Sequence, residues 1–217
     1  MGKVDFHSHT DVSKDSLNRV EDVIRKARQA GLSKLVITDH NSIQGALRAQ
    51  QLAPELIIVG EEILTSKGEI LAAFVKEQIP RGLAPLEVIR RLKAQDAFIS
   101  VSHPFDRFRS GWDLEDLDEI MPLVDAIEIF NARSFTRSMN DQALAYAQKH
   151  NLPGTVGSDA HTLIEIGRVA LDLPPFTNAD GLRAVIRQGQ VVSRYSSPLV
   201  RLGSTYARML KQLGLRK

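Results

Sequence analysis

The chain of 217 residues contains no cysteine. Disulfides, thiolate–zinc sites and cysteine nucleophiles are therefore excluded, and any metal ion has to be bound by imidazole or carboxylate groups. The sequence also lacks an apolar run long enough to cross a bilayer, and its amino-terminal segment lacks the apolar core of a signal peptide. We therefore expect a cytoplasmic protein that has no membrane partner.

Aromatic residues and net charge are scarce as well. Phenylalanine, tryptophan and tyrosine make up 6% of the chain, which disfavours a surface that stacks the successive bases of a long single strand. The formal net charge of +2 is too small to indicate electrostatic binding of nucleic acid, so a stable nucleic-acid complex is not expected. A Gly-x-Ser-x-Gly motif is absent, which disfavours a serine nucleophile of that type.

Apolar segments of strand length alternate with segments of helical periodicity along the chain. This alternation predicts an α/β fold built on a parallel sheet. A turn signal at residues 66–68 separates two of the apolar segments and predicts a hairpin. Six apolar segments run directly into polar residues of the metal-binding or catalytic kind. Because the carboxyl ends of all strands in a parallel barrel meet on one face, this pattern favours a barrel over an open sheet.

Most of the histidines directly follow a predicted strand. Five of the six do so: His7, His9, His40, His103 and His161. Single histidines are often helix caps or satisfied core groups, but a set placed this regularly favours metal ligands. Acidic residues accompany them, namely Asp39, Glu61, Glu62 and Asp159, of which Glu61 is interpreted as a loop cap or a solvated charge. Mixed histidine and carboxylate ligands suit zinc, manganese or iron, and a carboxylate can bridge two ions.

The motifs together resemble a known family. They are His7-Ser8-His9, Thr38-Asp39-His40, Gly60-Glu61-Glu62, Ser102-His103-Pro104 and Gly157-Ser158-Asp159-Ala160-His161. Their order and approximate spacing resemble those of the PHP (polymerase and histidinol phosphatase) domain over residues 3–195. The resemblance implies a distorted (β/α)7 barrel, with residues 1–195 as a metal-dependent hydrolase domain.

The resemblance also implies two or three divalent ions. Carried over by position, the first ion takes His7, His9, Glu62 and Asp159; Glu62 bridges to a second ion with His103; and His40 and His161 bind a third. Two positions depart from the family pattern. Asp15 stands where some members have a further histidine, and Glu69 stands near where many have one after the Gly-x-Glu strand. Both are candidate ligands, with a surface turn as the alternative for each.

Cationic side chains are the candidates for binding phosphate, since a guanidinium group matches phosphate oxygens with two donors. Arg107 and Arg109 closely follow His103, and Arg133 follows the next predicted strand with Asn131 beside it. Arg133 is the strongest candidate because it lies so close to a strand end. Asp39 is expected to assist catalysis by orienting a histidine ligand.

Residues 196–217 are predicted to form a basic amphipathic helix. Its apolar stripe comprises Leu199, Leu202, Tyr206, Met209, Leu210 and Leu213, and its basic residues are Arg201, Arg208, Lys211, Arg216 and Lys217. We expect this helix to dock on the barrel or on a subunit partner, which leaves oligomer formation open. Contact of such a helix with nucleic acid or a membrane surface is the alternative.

The resemblance implies a phosphoesterase that hydrolyses a small phosphate monoester or nucleotide with a metal-activated water. One alternative is an amidohydrolase-type barrel that cleaves C–N bonds and also begins with His-x-His. The pair Asp39-His40 fits that class poorly. The other alternative is a non-catalytic PHP domain kept as a metal-binding or interaction module, which the presence of every motif disfavours.

Overall fold

The computed structural model describes residues 1–197 and 199–215, so Arg216 and Lys217 of the predicted basic segment lie outside the described residues. The described strands are β1 (Gly2–Asp5), β2 (Leu32–Ile37), β3 (Ile57–Leu64), β4 (Glu69–Ala73), β5 (Phe98–Val101), β6 (Ala126–Asn131), β7 (Gly154–Gly157), β8 (Val169–Leu173) and β9 (Gln190–Ser193). The described α-helices are α1 (Val20–Gln29), α2 (Gln44–Leu52), α3 (Pro85–Ala94), α4 (Leu114–Ile120), α5 (Arg137–Lys149), α6 (Ala179–Val185) and α7 (Val200–Gln212).

The strands curve into a nearly closed barrel. Neighbours follow the order β7-β6-β5-β4-β3-β2-β1, and β8 and β9 continue outward from β1. The ring closes where the end of β1 meets the end of β7. There the Phe6 amide donates to the Val156 carbonyl at 3.1 Å, and Ser8 forms a parallel bridge with Ala160. The predicted α/β barrel of seven strands followed by a C-terminal helix is confirmed, with β8 and β9 as additional strands.

Strand β4 departs from the parallel arrangement. It pairs antiparallel with both β3 and β5, because residues 65–68 reverse the chain directly after β3. In this turn the Thr65 hydroxyl donates to the Gly68 carbonyl at 2.7 Å. A Cβ atom on Gly68 would lie 2.4 Å from the ring of Trp112, so the turn requires glycine. The hairpin predicted at residues 66–68 is confirmed.

Alternate strand residues pack into two apolar clusters, as the pleat of a strand dictates. On β2, Leu35 and Ile37 pack with residues of α1 to α4, whereas Val36 belongs to a second cluster formed by β1 to β8 and α6. The second cluster fills the barrel from the end where the parallel strands begin. The polar residues that follow the strands lie at the opposite end of the barrel, where the parallel strands end.

Helix α7 contacts the barrel through small and polar residues. Val200, Ser204 and Ala207 are buried against it. The apolar stripe that the sequence indicates faces outward instead, with Leu202 67% and Met209 49% exposed. None of the helices in the described part of the chain combines the length and the hydropathy of a membrane span.

Candidate metal centre

The polar residues that follow the strands line one cleft of about 560 Å³. Most of the predicted ligands belong to its lining: Asp15, His40, Glu62, Glu69, His103, Asp159 and His161. The other two, His7 and His9, are fully buried. His7 contacts Glu62, and His9 contacts Asp159. The fold therefore brings all nine predicted ligands together.

The first predicted ion position has a compact set of ligand atoms. The Nε2 atoms of His7 and His9 lie 3.1 Å apart, and Asp159 Oδ1 lies 3.3 Å from His9 Nε2. Glu62 Oε2 lies 3.3 Å from His7 Nε2 and 3.5 Å from His9 Nε2. Ligands bound at about 2.0–2.2 Å from one zinc ion are separated by distances of this size.

The second position is formed around the other oxygen of Glu62. His103 Nε2 lies 3.3 Å from Glu62 Oε1 and 3.5 Å from Glu69 Oε2. Glu69 also groups with His40 and Glu62 within the span of one metal site. The carboxylate of Glu69 thus lies among the other candidate ligands at the start of β4 and not in a surface turn.

The third position joins residues from three loops. Asp15 Oδ1 lies 3.5 Å from His40 Nε2 and 3.3 Å from His161 Nε2. His9 also groups with these two histidines, but its Nδ1 is 3.1 Å from the Ser13 hydroxyl, so only its Nε2 can bind metal. That Nε2 faces His7 and Asp159, so His9 groups with the predicted first position, and Asp15 groups with the two histidines of the predicted third.

Two buried carboxylate oxygens test whether these residues fit metal ions. Glu62 Oε2 and Asp15 Oδ1 are buried and accept no hydrogen bond from the described residues. An unsatisfied buried acceptor is costly, whereas a cation would satisfy it. Both atoms face imidazole nitrogens, and the donor set of nitrogen and carboxylate oxygen suits zinc, manganese or iron. The residues therefore fit two or three divalent ions.

The charges of the cluster are strongly coupled. Burial opposes the ionisation of Asp159, but the nearby charges of His7 and Arg109 hold its pKa well below the usual value. Burial, with the charges of His161 and His40, lowers the pKa of His9 to about 3. His9 is therefore neutral near pH 7, which is the protonation state that a metal ligand requires.

A carboxylate that sequence reasoning missed orients His7. Glu128 Oε1 lies 3.0 Å from His7 Nδ1, and Glu128 Oε2 accepts the His103 amide at 2.9 Å. With Nδ1 bonded in this way, the Nε2 of His7 is left for metal. The signal in the sequence is a single acid within the apolar segment Ala126–Phe130, where the pleat points it into the barrel.

Asp39 is linked to the predicted metal ligand His9 through the side chain of Ser13. It accepts hydrogen bonds from the Thr10 amide at 2.8 Å, the Thr10 hydroxyl at 2.6 Å and the Ser13 hydroxyl at 2.6 Å. The Ser13 hydroxyl in turn lies 3.1 Å from His9 Nδ1. Asp39 is fully buried and does not line the cleft, so the orienting role expected for it runs through Ser13.

Arg133 lines the cleft although its side chain is only 7% exposed. Its Nε lies 3.3 Å from Glu165 Oε1, and it donates to the Ser204 hydroxyl at 2.7 Å. Glu165, which the sequence analysis did not single out, also accepts the His161 amide at 3.1 Å. Arg133 is therefore held rigidly beside the cluster by groups that also position a ligand.

The other predicted phosphate-binding residues lie in different places. Arg109 lines the cleft, donates to Asp106 at 2.9 Å and pairs with Asp159. Asn131 is buried below the lining, where its side-chain oxygen accepts the Arg133 amide at 2.9 Å. Arg107 is exposed and is not part of the lining. Neither Asn131 nor Arg107 belongs to the described lining of the cleft, so the substrate contact predicted for them stays a prediction.

Two further groups at the cleft were missed by sequence reasoning. Helix α7 adds Arg201, Ser204, Thr205 and Arg208 to the lining. Phe108 and Phe135 lie at the mouth with ring centroids 4.7 Å apart, and they are 71% and 52% exposed. Neither group has a spacing signal, because each is brought to the cleft only by tertiary packing.

The chain matches two models of protein families, the PHP domain over residues 5–107 and the PHP-associated family over residues 137–191. Two uncharacterized proteins of Methanocaldococcus jannaschii are related to it in sequence. MJ1587 is 32% identical over 157 residues, which are 65% of this chain and 89% of the relative. MJ0417 is 34% identical over 169 residues, 76% of this chain and 68% of the relative.

Solved structures share the fold. PsfC from Pseudomonas syringae PB-5123 superposes with a TM-score of 0.70 at 20% identity, covering 97% of this chain and 100% of that chain. A candidate metal-dependent phosphoesterase from Bifidobacterium adolescentis gives 0.60 at 17% identity, covering 86% and 96%. An amidohydrolase from Chromobacterium violaceum gives 0.61 at 16% identity, covering 79% and 92%. Since both PHP models match the chain and the solved structures share its barrel, the chain belongs to the PHP family.

Proposed function

We propose that the protein is a metal-dependent phosphoesterase that hydrolyses a small phosphate monoester or nucleotide. The observation that carries this proposal is the convergence of nine histidine and carboxylate ligands on one cleft whose described lining holds five arginines, among them Arg109 and Arg133. The ligands suit two or three ions of zinc, manganese or iron, and the arginines suit an anionic group beside them.

Different residues of the chain would have different roles in metal-assisted hydrolysis. Bound divalent ions supply Lewis acidity and lower the pKa of a water molecule toward about 7. Glu62 offers one oxygen toward the first position and the other toward the second, which suits a bridging ligand. Glu128 keeps the His7 ring in a fixed orientation, which leaves the Nε2 of that ring available as a metal ligand.

Arg133 is the residue best placed to bind the transferred phosphoryl group. Glu165 and Ser204 fix its guanidinium group at the edge of the cluster. A planar guanidinium can donate two hydrogen bonds to non-bridging oxygens and so orient the ester for in-line attack. Arg109 occupies the same cleft, but its pairing with Asp159 makes it the weaker candidate.

An exposed aromatic pair favours a nucleotide among the small phosphate esters. Phe108 and Phe135 lie at the mouth of the cleft, and both are more than half exposed. Planar bases stack favourably on such rings. A pair of rings suits one base, whereas a long single strand requires a succession of platforms.

The amidohydrolase alternative has less support in the cleft. An amidohydrolase-type site usually needs a mid-chain lysine or further histidines, whereas the one lysine in the described lining is Lys14, near the start of the chain. Asp39 accepts hydrogen bonds from Thr10 and Ser13 and does not line the cleft at the predicted ion positions. The non-catalytic alternative does not account for the buried arginine or for an open cleft beside the ligands.

A substrate panel tests the proposed function. Metal-reconstituted protein would be assayed for phosphate release from sugar phosphates, amino-alcohol phosphates and nucleotides, and for hydrolysis of cyclic amides and deamination of amino-bearing bases. Release of phosphate from at least one ester class, abolished in Asp159→Asn, is the expected result. Cleavage of a C–N bond without phosphate release would favour the amidohydrolase class, and inactivity throughout would favour the non-catalytic module.

A further inference from the structure

Helix α7 is joined to two loops that carry site residues. Lys211 donates to the carbonyl of Asp11 and, at 2.8 Å, to that of Ser13, both in the loop after β1. Arg201 donates to the Arg133 carbonyl at 2.6 Å in the loop after β6. The helix therefore contacts the loop that carries Asp15 and also the loop that carries the proposed phosphate-binding arginine.

The contact of α7 with Asp15 is the most specific of these. Arg208 donates to Asp15 Oδ2 at 3.0 Å, and the Asp15 side chain is 3% exposed. The other oxygen, Oδ1, accepts no hydrogen bond from the described residues and faces the Nε2 atoms of His40 and His161. Arg208 thus occupies one carboxylate oxygen and leaves the other directed at the third ion position.

We propose that Arg208 is a positioning residue of the metal centre, which holds Asp15 in the orientation that completes the third ion site with His40 and His161. The C-terminal helix is then part of that ion site. The inference concerns metal binding and holds for any substrate of the cleft.

The charge of Arg208 opposes a cation at the third position, so the two effects have to be weighed. The Arg208 side chain is 55% exposed, and solvent and salt screen its charge. The hydrogen bond of 3.0 Å acts directly on the buried carboxylate. Loss of a group that orients a metal ligand typically lowers metal affinity about 10–100-fold. The benefit of orienting Asp15 therefore outweighs the repulsion between Arg208 and the cation. Removal of Arg208 should lower the affinity of the protein for the third ion.

Metal titration of the full chain tests the proposal without an activity assay. Metal-free protein would be titrated with Mn²⁺ or Zn²⁺ in a calorimeter, and the stoichiometry checked by elemental analysis after dialysis. We expect Arg208→Ala to lower the affinity of one ion about 10–100-fold and to leave the others unchanged. Arg208→Lys, which keeps a cationic donor, should recover part of this loss. Gln212→Ala, on an exposed position of the same helix, is the matched control.

A double-mutant cycle separates positioning from general stability. Asp15→Asn should weaken the same ion, and adding Arg208→Ala to it should weaken that ion no further. Circular dichroism of the metal-free variants reports on folding, and Arg208→Gln provides the same comparison if Arg208→Ala is unstable. Unchanged or tighter metal binding in Arg208→Ala would overturn the proposal. Arg208 would then only neutralise the charge of Asp15 in the metal-free protein. Uniform weakening of all ions would overturn it as well.

Discussion

Two adjacent glutamates in β3 show how the pleat divides roles at the residue scale. Glu62 Oε2 lies 2.9 Å from His40 Nδ1 and 3.3 Å from His7 Nε2, whereas the one hydrogen bond that Glu61 accepts from the described residues comes from the Ile79 amide, at 3.0 Å. We expect Glu62→Gln to lose nearly all phosphate release together with bound metal, because the bridging charge is gone. Glu61→Gln should keep most of both in the same assay and elemental analysis. The reverse result would mean that β3 presents its other face to the ions.

Glu61 also makes stability depend on pH. Burial raises its pKa from 4.5 to about 7, and the bond from the Ile79 amide offsets this only in part. The folded protein keeps the proton up to about pH 7, whereas the unfolded chain releases it above about pH 4.5. The free energy of unfolding therefore falls as pH rises through this window, by about 3 kcal/mol from this group. Glu61→Gln should flatten the decline in urea unfolding of metal-free protein, and equal slopes for variant and wild type would contradict this.

Arg133 tests how phosphate is bound. Arg133→Lys keeps the charge but loses the planar pair of donors, so kcat/KM for phosphate esters should fall. Arg133→Ala should lose more, about 2–4 kcal/mol of transition-state stabilisation, with metal content unchanged. Arg107→Ala is the comparison, because Arg107 is exposed and lies outside the cleft lining. Wild-type rates in both Arg133 variants would remove this residue from phosphate binding.

The sequence predicts metal ligands better than the groups that orient them. Spacing after strands is visible in the chain, and it identified residues such as His7, His103 and Asp159, which the fold brings together. Glu128 and Glu165 could not be found in this way, since a single acid in a strand or loop has no partner until the barrel closes. Their roles depend on the distances to His7 and Arg133, which only the fold sets.

At the scale of elements, the β3–β4 hairpin determines where Glu69 lies. Gly68 packs against the buried ring of Trp112, whose Nε1 donates to the Glu69 carbonyl at 3.2 Å. Gly68→Ala should therefore displace Trp112, cost about 1–3 kcal/mol of stability and weaken the second ion site. Ser66→Ala, at an exposed position of the same turn, is the control. Unfolding by urea and metal titration measure the two effects, and a stable Gly68→Ala with normal metal binding would contradict them.

Helix boundaries and helix faces were harder to predict than the alternation of elements. The helix predicted over residues 141–150 begins earlier, at Arg137. Its first turn is polar, so no apolar period in the sequence marks the true start. For α7, the apolar stripe is exposed while Arg208 and Lys211 contact the barrel. Hydrophobic periodicity identifies the faces of a helix but cannot show which one docks when the docking surface is a ring of carbonyls and carboxylates.

At the scale of the whole molecule, the barrel follows from one regularity: six predicted strands end in polar residues. A barrel that gathers strand ends on one face explains this pattern, and the contact of Ser8 with Ala160 closes the ring between the first and last metal motifs. The pairing of β8 and β9 beside β1, beyond the ring of seven strands, and the position of α7 at the cleft could not be predicted, because both depend on packing against a barrel already formed.

Restoration of activity by metal is the most direct test of a metal-dependent phosphoesterase. Protein stripped with a chelator would be given increasing Mn²⁺ or Zn²⁺, and phosphate release from the best ester would be followed against bound metal per chain. We expect no release from stripped protein and a rise that saturates when two or three ions are bound. Stripped protein that releases phosphate at its full rate, or reconstituted protein that never does, would contradict it.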